Sequence, residues 1–196
     1  MSTTFTVLID LDSTTYDILT PTFSYLKTRH NIVITPEKLK GFYDWPEDSL
    51  GMAYGYWSHE GFFSDLKPFS HAKSALYKVY NWGVRQLFVS TLVSGRTVAW
   101  DKGNAIDRDF PFIGRRNLLL TGHDKDIVRG DMLFDDALHN LEAFDQFDYQ
   151  ATVLARLQPT GYNEGYEATY YKYPNYIMTD WRQYPDIVAE EMRKRG

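Results

Sequence analysis

Short apolar runs recur along the chain with helix-length patterns between them: "FTVLI" at 5–9, "QLFVST" at 86–91, "NLLLT" at 117–121, "MLF" at 132–134 and "ATVLA" at 151–155. This alternation is the strongest constraint on the fold. Parallel strands cannot be joined by a tight turn and need a crossover, usually a helix, so strand–helix alternation predicts βα units and a mostly parallel sheet. The expected architecture is a three-layer α/β sandwich. In "HAKSALYKVYNWG" the apolar positions Ala72, Ala75, Leu76, Val79 and Tyr80 fall on one helical face, with Ser70 placed to cap its start and Gly83 to end it. Further helices are expected over 15–29, 96–107, 136–144 and 181–194. The 196 residues, 43% of them apolar, suit a single domain spanning 1–196 with a real core.

The stretch 17–68 follows different rules. It holds no strand-like run of comparable strength, but it carries Phe42, Tyr43, Trp45, Tyr54, Tyr56, Trp57, Phe62 and Phe63 with Pro and Gly as punctuation. We read it as a small helical cap inserted after the first strand. Residues 162–176, rich in tyrosine, are expected to form an irregular surface excursion near the end of the sheet.

Composition removes several classes of function. The formal net charge is −5, and Lys and Arg are scattered except in the closing "MRKRG", so no basic stripe awaits a nucleic-acid polymer. The absence of cysteine excludes disulfides, thiolate metal sites and cysteine nucleophiles. No run of 18 apolar residues occurs, and "MSTTFTVLID" lacks a basic leader region. A cytoplasmic protein with no membrane partner is expected, and a homodimer is compatible with this reading.

The first strand ends in an unusual way: "FTVLIDLDSTTYD" places Asp10 and Asp12 directly after a buried run. In an open parallel sheet, ligands bind outside the carboxyl ends of the strands. Thr91 lies at the end of the second strand, and Asp135 with Asp136 follow "MLF". Such carboxylates raise one another's pKa unless a cation sits among them, and Mg²⁺ prefers hard oxygen ligands of this kind. A carboxylate cluster with Mg²⁺ and a lysine suits phosphoryl transfer. Asp10 would be the nucleophile, Asp12 the acid and then the base, Thr91 a phosphate-binding hydroxyl, and Lys125 a positive charge for nucleophile and phosphate. Taken singly, each residue has an ordinary explanation as a cap, a turn or a solvated charge. Their succession at strand ends is what gives them meaning.

"DLDST", "VST", "EGFFSDLKP" and "DKDIVRGDMLFDD" resemble the haloacid dehalogenase-like (HAD-like) phosphohydrolases, and within them the 5'(3')-deoxyribonucleotidase family. The resemblance covers roughly residues 5–145, and the closing "TDWRQYPDIVAEEMRKR" is loosely similar to that family's terminal helix. It implies a Rossmann-like sheet, with Mg²⁺ held by Asp10, the backbone carbonyl of Asp12, and Asp136, and with Asp135 in support. It also implies that the cap closes over a nucleoside, with Phe42 and Trp57 as candidates for base contact. Leu92, His123, Thr91 and Lys125 then line the substrate side. The chain departs from the family pattern at Ser13 and Thr14, where a Gly and an apolar residue are usual. It departs again at Leu92, in place of a Ser that Ser94 could replace, and at His123, in place of an Arg.

The function implied is a Mg²⁺-dependent phosphatase that converts (deoxy)ribonucleoside monophosphates to nucleoside and phosphate through an aspartyl-phosphate. A phosphatase of another small ester, such as a sugar phosphate, is the second reading. A non-catalytic nucleotide- or phosphate-binding module is the third.

Overall fold

The computed structural model describes residues 4–39, 45–46, 48–92, 95–122, 125, 127–145, 150–161, 163 and 174–195. Among these, the apolar runs become β1 (Thr6–Asp10), β2 (Arg85–Thr91), β3 (Leu118–Thr121), β4 (Met132–Asp135), β5 (Ala151–Ala155) and β6 (Tyr176–Met178). The order is β3-β2-β1-β4-β5-β6, and each neighbouring pair is parallel. The helices are α1 (Leu19–His30), α2 (Ser49–Trp57), α3 (Phe62–Asp65), α4 (Ala72–Tyr80), α5 (Val98–Asp109), α6 (Leu138–Phe144) and α7 (Tyr184–Arg195).

Successive strand residues point to opposite faces, and the core divides accordingly. Val7, Ile9, Phe88, Phe134 and Val153 pack on one side with Leu76 and Val79 of α4, Ile106 of α5 and Val188 of α7. Leu8, Val89, Leu133 and Leu154 pack on the other with Leu138, Leu141 and Phe144 of α6. Burial on both faces explains why these strands read as unbroken apolar runs rather than alternating ones. The result is the expected three-layer sandwich.

From β1 the chain winds outward through β2 and β3, then returns to place β4 on the other flank of β1. The strand order therefore reverses between β1 and β4, and a crevice opens there at their carboxyl ends. Asp10 is the last residue of β1 and Asp135 the last of β4.

Three local expectations are corrected. Ser70 does not cap α4: the preceding position is His71, in a left-handed conformation at φ 68°, and no side chain caps the helix. The first helix begins at Leu19 rather than near 15, because residues 15–17 run beside 67–69. Phe69 N donates to the Thr15 carbonyl (2.9 Å) and Asp17 N to that of Lys67 (3.3 Å). β6 was not anticipated. It follows the tyrosine-rich stretch, of which residues 162 and 164–173 lie outside the described residues.

The 17–68 segment contains α1, α2 and α3. Its described aromatics pack on one another: Trp57 meets Trp45 at 5.9 Å and Tyr54 at 5.1 Å between ring centroids. α3 is fastened to α5. The buried Asp101 carboxylate accepts from Gly61 N (2.9 Å) and Ser64 Oγ (3.1 Å), and Arg108 donates to the Leu66 carbonyl (2.6 Å).

Candidate active site

The end of β1 turns sharply. Thr15 N and Tyr16 N both donate to the Leu11 carbonyl (2.9 and 2.8 Å), and Ser13 N donates to that of Tyr16 (2.9 Å). Thr15 Oγ1 donates to the Asp10 carbonyl (2.6 Å) and fixes the backbone behind that carboxylate. Ser13 sits at φ 62°, a left-handed conformation that costs a non-glycine residue roughly 1–2 kcal/mol. The loop thus adopts the geometry a glycine would give it, at a strain. Ser13→Gly is expected to raise the unfolding free energy by about 0.5–1 kcal/mol, measured by urea denaturation. A fall instead would mean the serine hydroxyl contributes more than the strain it carries.

Asp10, Asp135 and Asp136 are all buried, and each brings a carboxylate oxygen to within 4.8 Å of the others. Lys125, also buried, donates to Asp10 Oδ1 and to Asp135 Oδ2, the latter at 2.6 Å. Asp135 is held on its other oxygen by Ala137 N (2.9 Å) and Asn140 Nδ2 (3.0 Å). It is therefore the scaffold that aims the lysine. Burial pushes the Asp10 carboxyl well above the usual carboxylate range; Lys125 opposes this, while Asp135, Asp12 and Asp136 add to it. Burial also acts to discharge the Lys125 ammonium, but Asp10 and Asp135 more than offset that and push its pKa up. Three carboxylates within 4.8 Å of one another create repulsion in a low-dielectric crevice, and Lys125 bonds Asp10 and Asp135 of the three. A hard divalent cation among these oxygens would relieve it, and the all-oxygen donor set suits Mg²⁺.

Asp12 lies outside that cluster. Its Oδ2 accepts from Lys102 Nζ (2.6 Å) and from Ser90 Oγ (3.2 Å). Lys102 also donates to Ser90 Oγ (2.6 Å) and to the Thr91 carbonyl (3.1 Å). Sequence reasoning missed Lys102. A signal was nonetheless present, because Val98, Lys102, Ala105 and Ile106 share one stripe of α5, all buried. Thr91 closes β2 and pairs in register with Thr121.

The expected substrate-side residues fare unevenly. Leu92 is 43% exposed just past β2, with its N–H donating to the Thr121 carbonyl (2.9 Å). Trp57 is buried within the 17–68 segment, and its indole N–H donates to Thr22 Oγ1 (2.8 Å). The physical reason is that a small helical unit needs large aromatic area to form any core. Phe42, His123 and Ser94 lie outside the described residues. A cleft of about 630 Å³ opens between α1 and α3, lined by Asp17, Thr20, Tyr56, His59 and Lys67 among others. It contains none of the strand-end carboxylates, so the carboxylates and not the cleft locate the chemistry.

This fold recurs in solved structures of haloacid dehalogenase-like hydrolases. One from Burkholderia xenovorans LB400, described as a candidate enzyme of that kind, is 14% identical, with 96% of this chain and 98% of the other covered and a TM-score of 0.61. A HAD family hydrolase from Deinococcus radiodurans R1, with bound phosphate and sodium, is 14% identical over 96% of each chain, with a TM-score of 0.57. A candidate phosphatase from Clostridium difficile is 14% identical over 95% of this chain and 100% of the other, with a TM-score of 0.58. The chain thus has the fold of the HAD-like hydrolases. More closely, it belongs to the 5' nucleotidase, deoxy (pyrimidine), cytosolic type C protein family, whose model matches residues 4–154. No curated protein sequence matches the chain. Among the described residues no helix is long and apolar enough to cross a membrane.

Proposed function

We propose that this phosphohydrolase removes phosphate from nucleoside monophosphates through a phosphoryl group carried transiently on Asp10. The observation that carries the reading is the placement of Asp10 at the β1–β4 switch point, against Lys125 and the Asp135–Asp136 pair, with Asp12 one turn of loop away. In the first half-reaction an Asp10 oxygen attacks phosphorus as the ester P–O bond breaks, and Asp12 gives its proton to the departing nucleoside oxygen. In the second, Asp12 takes a proton from water as the water oxygen attacks phosphorus, and the Asp10–phosphorus bond breaks. Lys125 holds Asp10 in place and faces the charge of the transferring group. The Thr91 hydroxyl is a hydrogen-bond donor for a phosphate oxygen. Asp10, Asp136 and the Asp12 carbonyl would hold Mg²⁺, with Asp135 behind them. When bound, the ion supplies charge neutralisation between the nucleophile and the phosphate oxygens.

The burial of Trp57 favours a second reading for the substrate, another small phosphate ester such as a sugar phosphate, because one aromatic proposed for the base is already used. Phosphate release from a panel of deoxy- and ribonucleoside 5'- and 3'-monophosphates and sugar phosphates, assayed with Mg²⁺, separates the two. Preference for the nucleotides supports the first reading. Turnover confined to sugar phosphates overturns it, and turnover of no ester points to a binding module. Asp12→Asn, assayed in parallel, is expected to keep its affinity for Mg²⁺, which uses the backbone carbonyl, and to lose at least ~10²-fold in kcat.

A further inference from the structure

We infer that Lys102 is a positioning residue for Asp12: it anchors one carboxylate oxygen, Oδ2, so that the other, Oδ1, is presented to the leaving group. The inference rests on the phosphatase reading above and adds to it a residue outside the strand-end motifs.

The geometry is specific. The Lys102 side chain is 1% exposed, while that of Asp12 is 23% exposed, so an ammonium is buried beneath a carboxylate that reaches the crevice. All three hydrogens of the ammonium have partners: Asp12 Oδ2 at 2.6 Å, Ser90 Oγ at 2.6 Å and the Thr91 carbonyl at 3.1 Å. Ser90 Oγ in turn donates to the same Asp12 oxygen (3.2 Å), which closes a triangle. Asp12 Oδ1 has no hydrogen-bond partner among the described residues. A fourth side of the ammonium faces the Phe63 ring of α3, 4.3 Å from its centroid.

A buried ammonium is costly unless its partners are well aligned, and it is seldom retained for stability alone. Here its cost is met by groups from β2, from the β1 loop and from α3. These are the elements that must agree on where Asp12 sits. A carboxylate on a loop has two soft torsions, whereas one with an oxygen pinned twice keeps a single orientation. General acid catalysis demands that orientation, since a misplacement of about 1 Å costs on the order of 10²-fold in rate. In the reaction above, the proton leaves Oδ1 for the ester oxygen in the first step and returns to Oδ1 from water in the second. Lys102 exchanges no proton.

The test compares an alkyl phosphate, whose leaving oxygen must be protonated, with p-nitrophenyl phosphate, whose leaving group departs as a stabilised anion. Lys102→Met is expected to lower kcat for the alkyl ester by ~10²-fold and for p-nitrophenyl phosphate by less than ~3-fold, with KM for both within about twofold. Ser90→Ala removes the second hold on Oδ2 and gives a smaller loss with the same leaving-group bias, and it serves where Lys102→Met does not fold. Because the chain has no cysteine, a Lys102→Cys thiol can be aminoethylated uniquely in the denatured chain before refolding, which rebuilds a side-chain ammonium and is expected to restore most of the alkyl-ester rate. Equal losses for the two esters in an active enzyme would mean that Lys102 serves packing only, and the inference falls. If the native chain hydrolyses neither ester, it is the phosphatase reading that has failed, and the assignment of Lys102 fails with it.

Discussion

An Asp10→Asn variant is expected to release phosphate at least ~10⁴-fold more slowly than the native chain while folding normally. Asparagine keeps the shape of the side chain but cannot form the acyl-phosphate bond. Its neutrality also removes a charge that burial penalises and that three neighbouring carboxylates oppose. The lost bond to Lys125 acts in the opposite direction, so urea denaturation of the variant in a metal chelator is measured alongside to separate lost turnover from unfolding. Two measurements decide the matter. Acid-quenched native protein, examined by mass spectrometry during turnover, should carry a phosphoryl group on the peptide containing Asp10, and the variant should carry none. Residual activity within tenfold of the native rate would refute covalent catalysis by this residue.

Lys125→Met is expected to act on stability first. Lys125 is the ammonium that bridges Asp10 and Asp135, and removing one partner of a buried ion pair typically costs about 3–5 kcal/mol. The loss should depend on pH in a defined direction. Asp10 has a folded-state pKa raised above the unfolded value of 3.8. Such a group favours the folded state most at low pH, and its contribution is lost as pH rises through the raised value. Without Lys125 that rise grows. Lys125 itself, pushed up from 10.5, stays charged in the native chain across this range and adds no slope of its own. Urea denaturation with chelator present should accordingly show a larger deficit at pH 8 than at pH 5. Millimolar Mg²⁺ should recover part of the deficit at pH 8, because a cation among the carboxylates replaces some of the missing charge. A deficit that is the same at both pH values would argue against a carboxylate cluster as its source.

The residues that could be read directly were those whose position along the chain is also their position in space. Strand ends of a parallel sheet share one rim, so Asp10, Asp135 and Asp136 could be gathered from sequence order alone; the structure brings their carboxylate oxygens within 4.8 Å of one another and bonds Asp10 and Asp135 to Lys125. Burial on both faces made β1, β2, β4 and β5 conspicuous, whereas β6 has only three residues, two of them partly exposed, and offered too little pattern. Lys102 was hidden for the opposite reason. A lysine in a helix ordinarily extends into solvent, and only its place in the apolar stripe of α5 marks it as inward-facing. Trp57 packs against Trp45 and Tyr54 in the 17–68 segment, a placement that its position in the sequence does not reveal. The Ser70 cap failed because the helix start is set by the left-handed turn at His71, a backbone event with no side-chain signature in the sequence.

The central place of β1 also bears on how the protein is made. β1 emerges from the ribosome before either of its neighbours, and β4, which together with the residue after it carries two of the three clustered carboxylates, follows more than a hundred residues later. Until β4 docks, the nascent chain presents a long, unpaired apolar edge, the kind of surface that invites association with other chains. A translation product released before residue 132 would thus lack Asp135 and Asp136 and leave that edge of β1 unpaired.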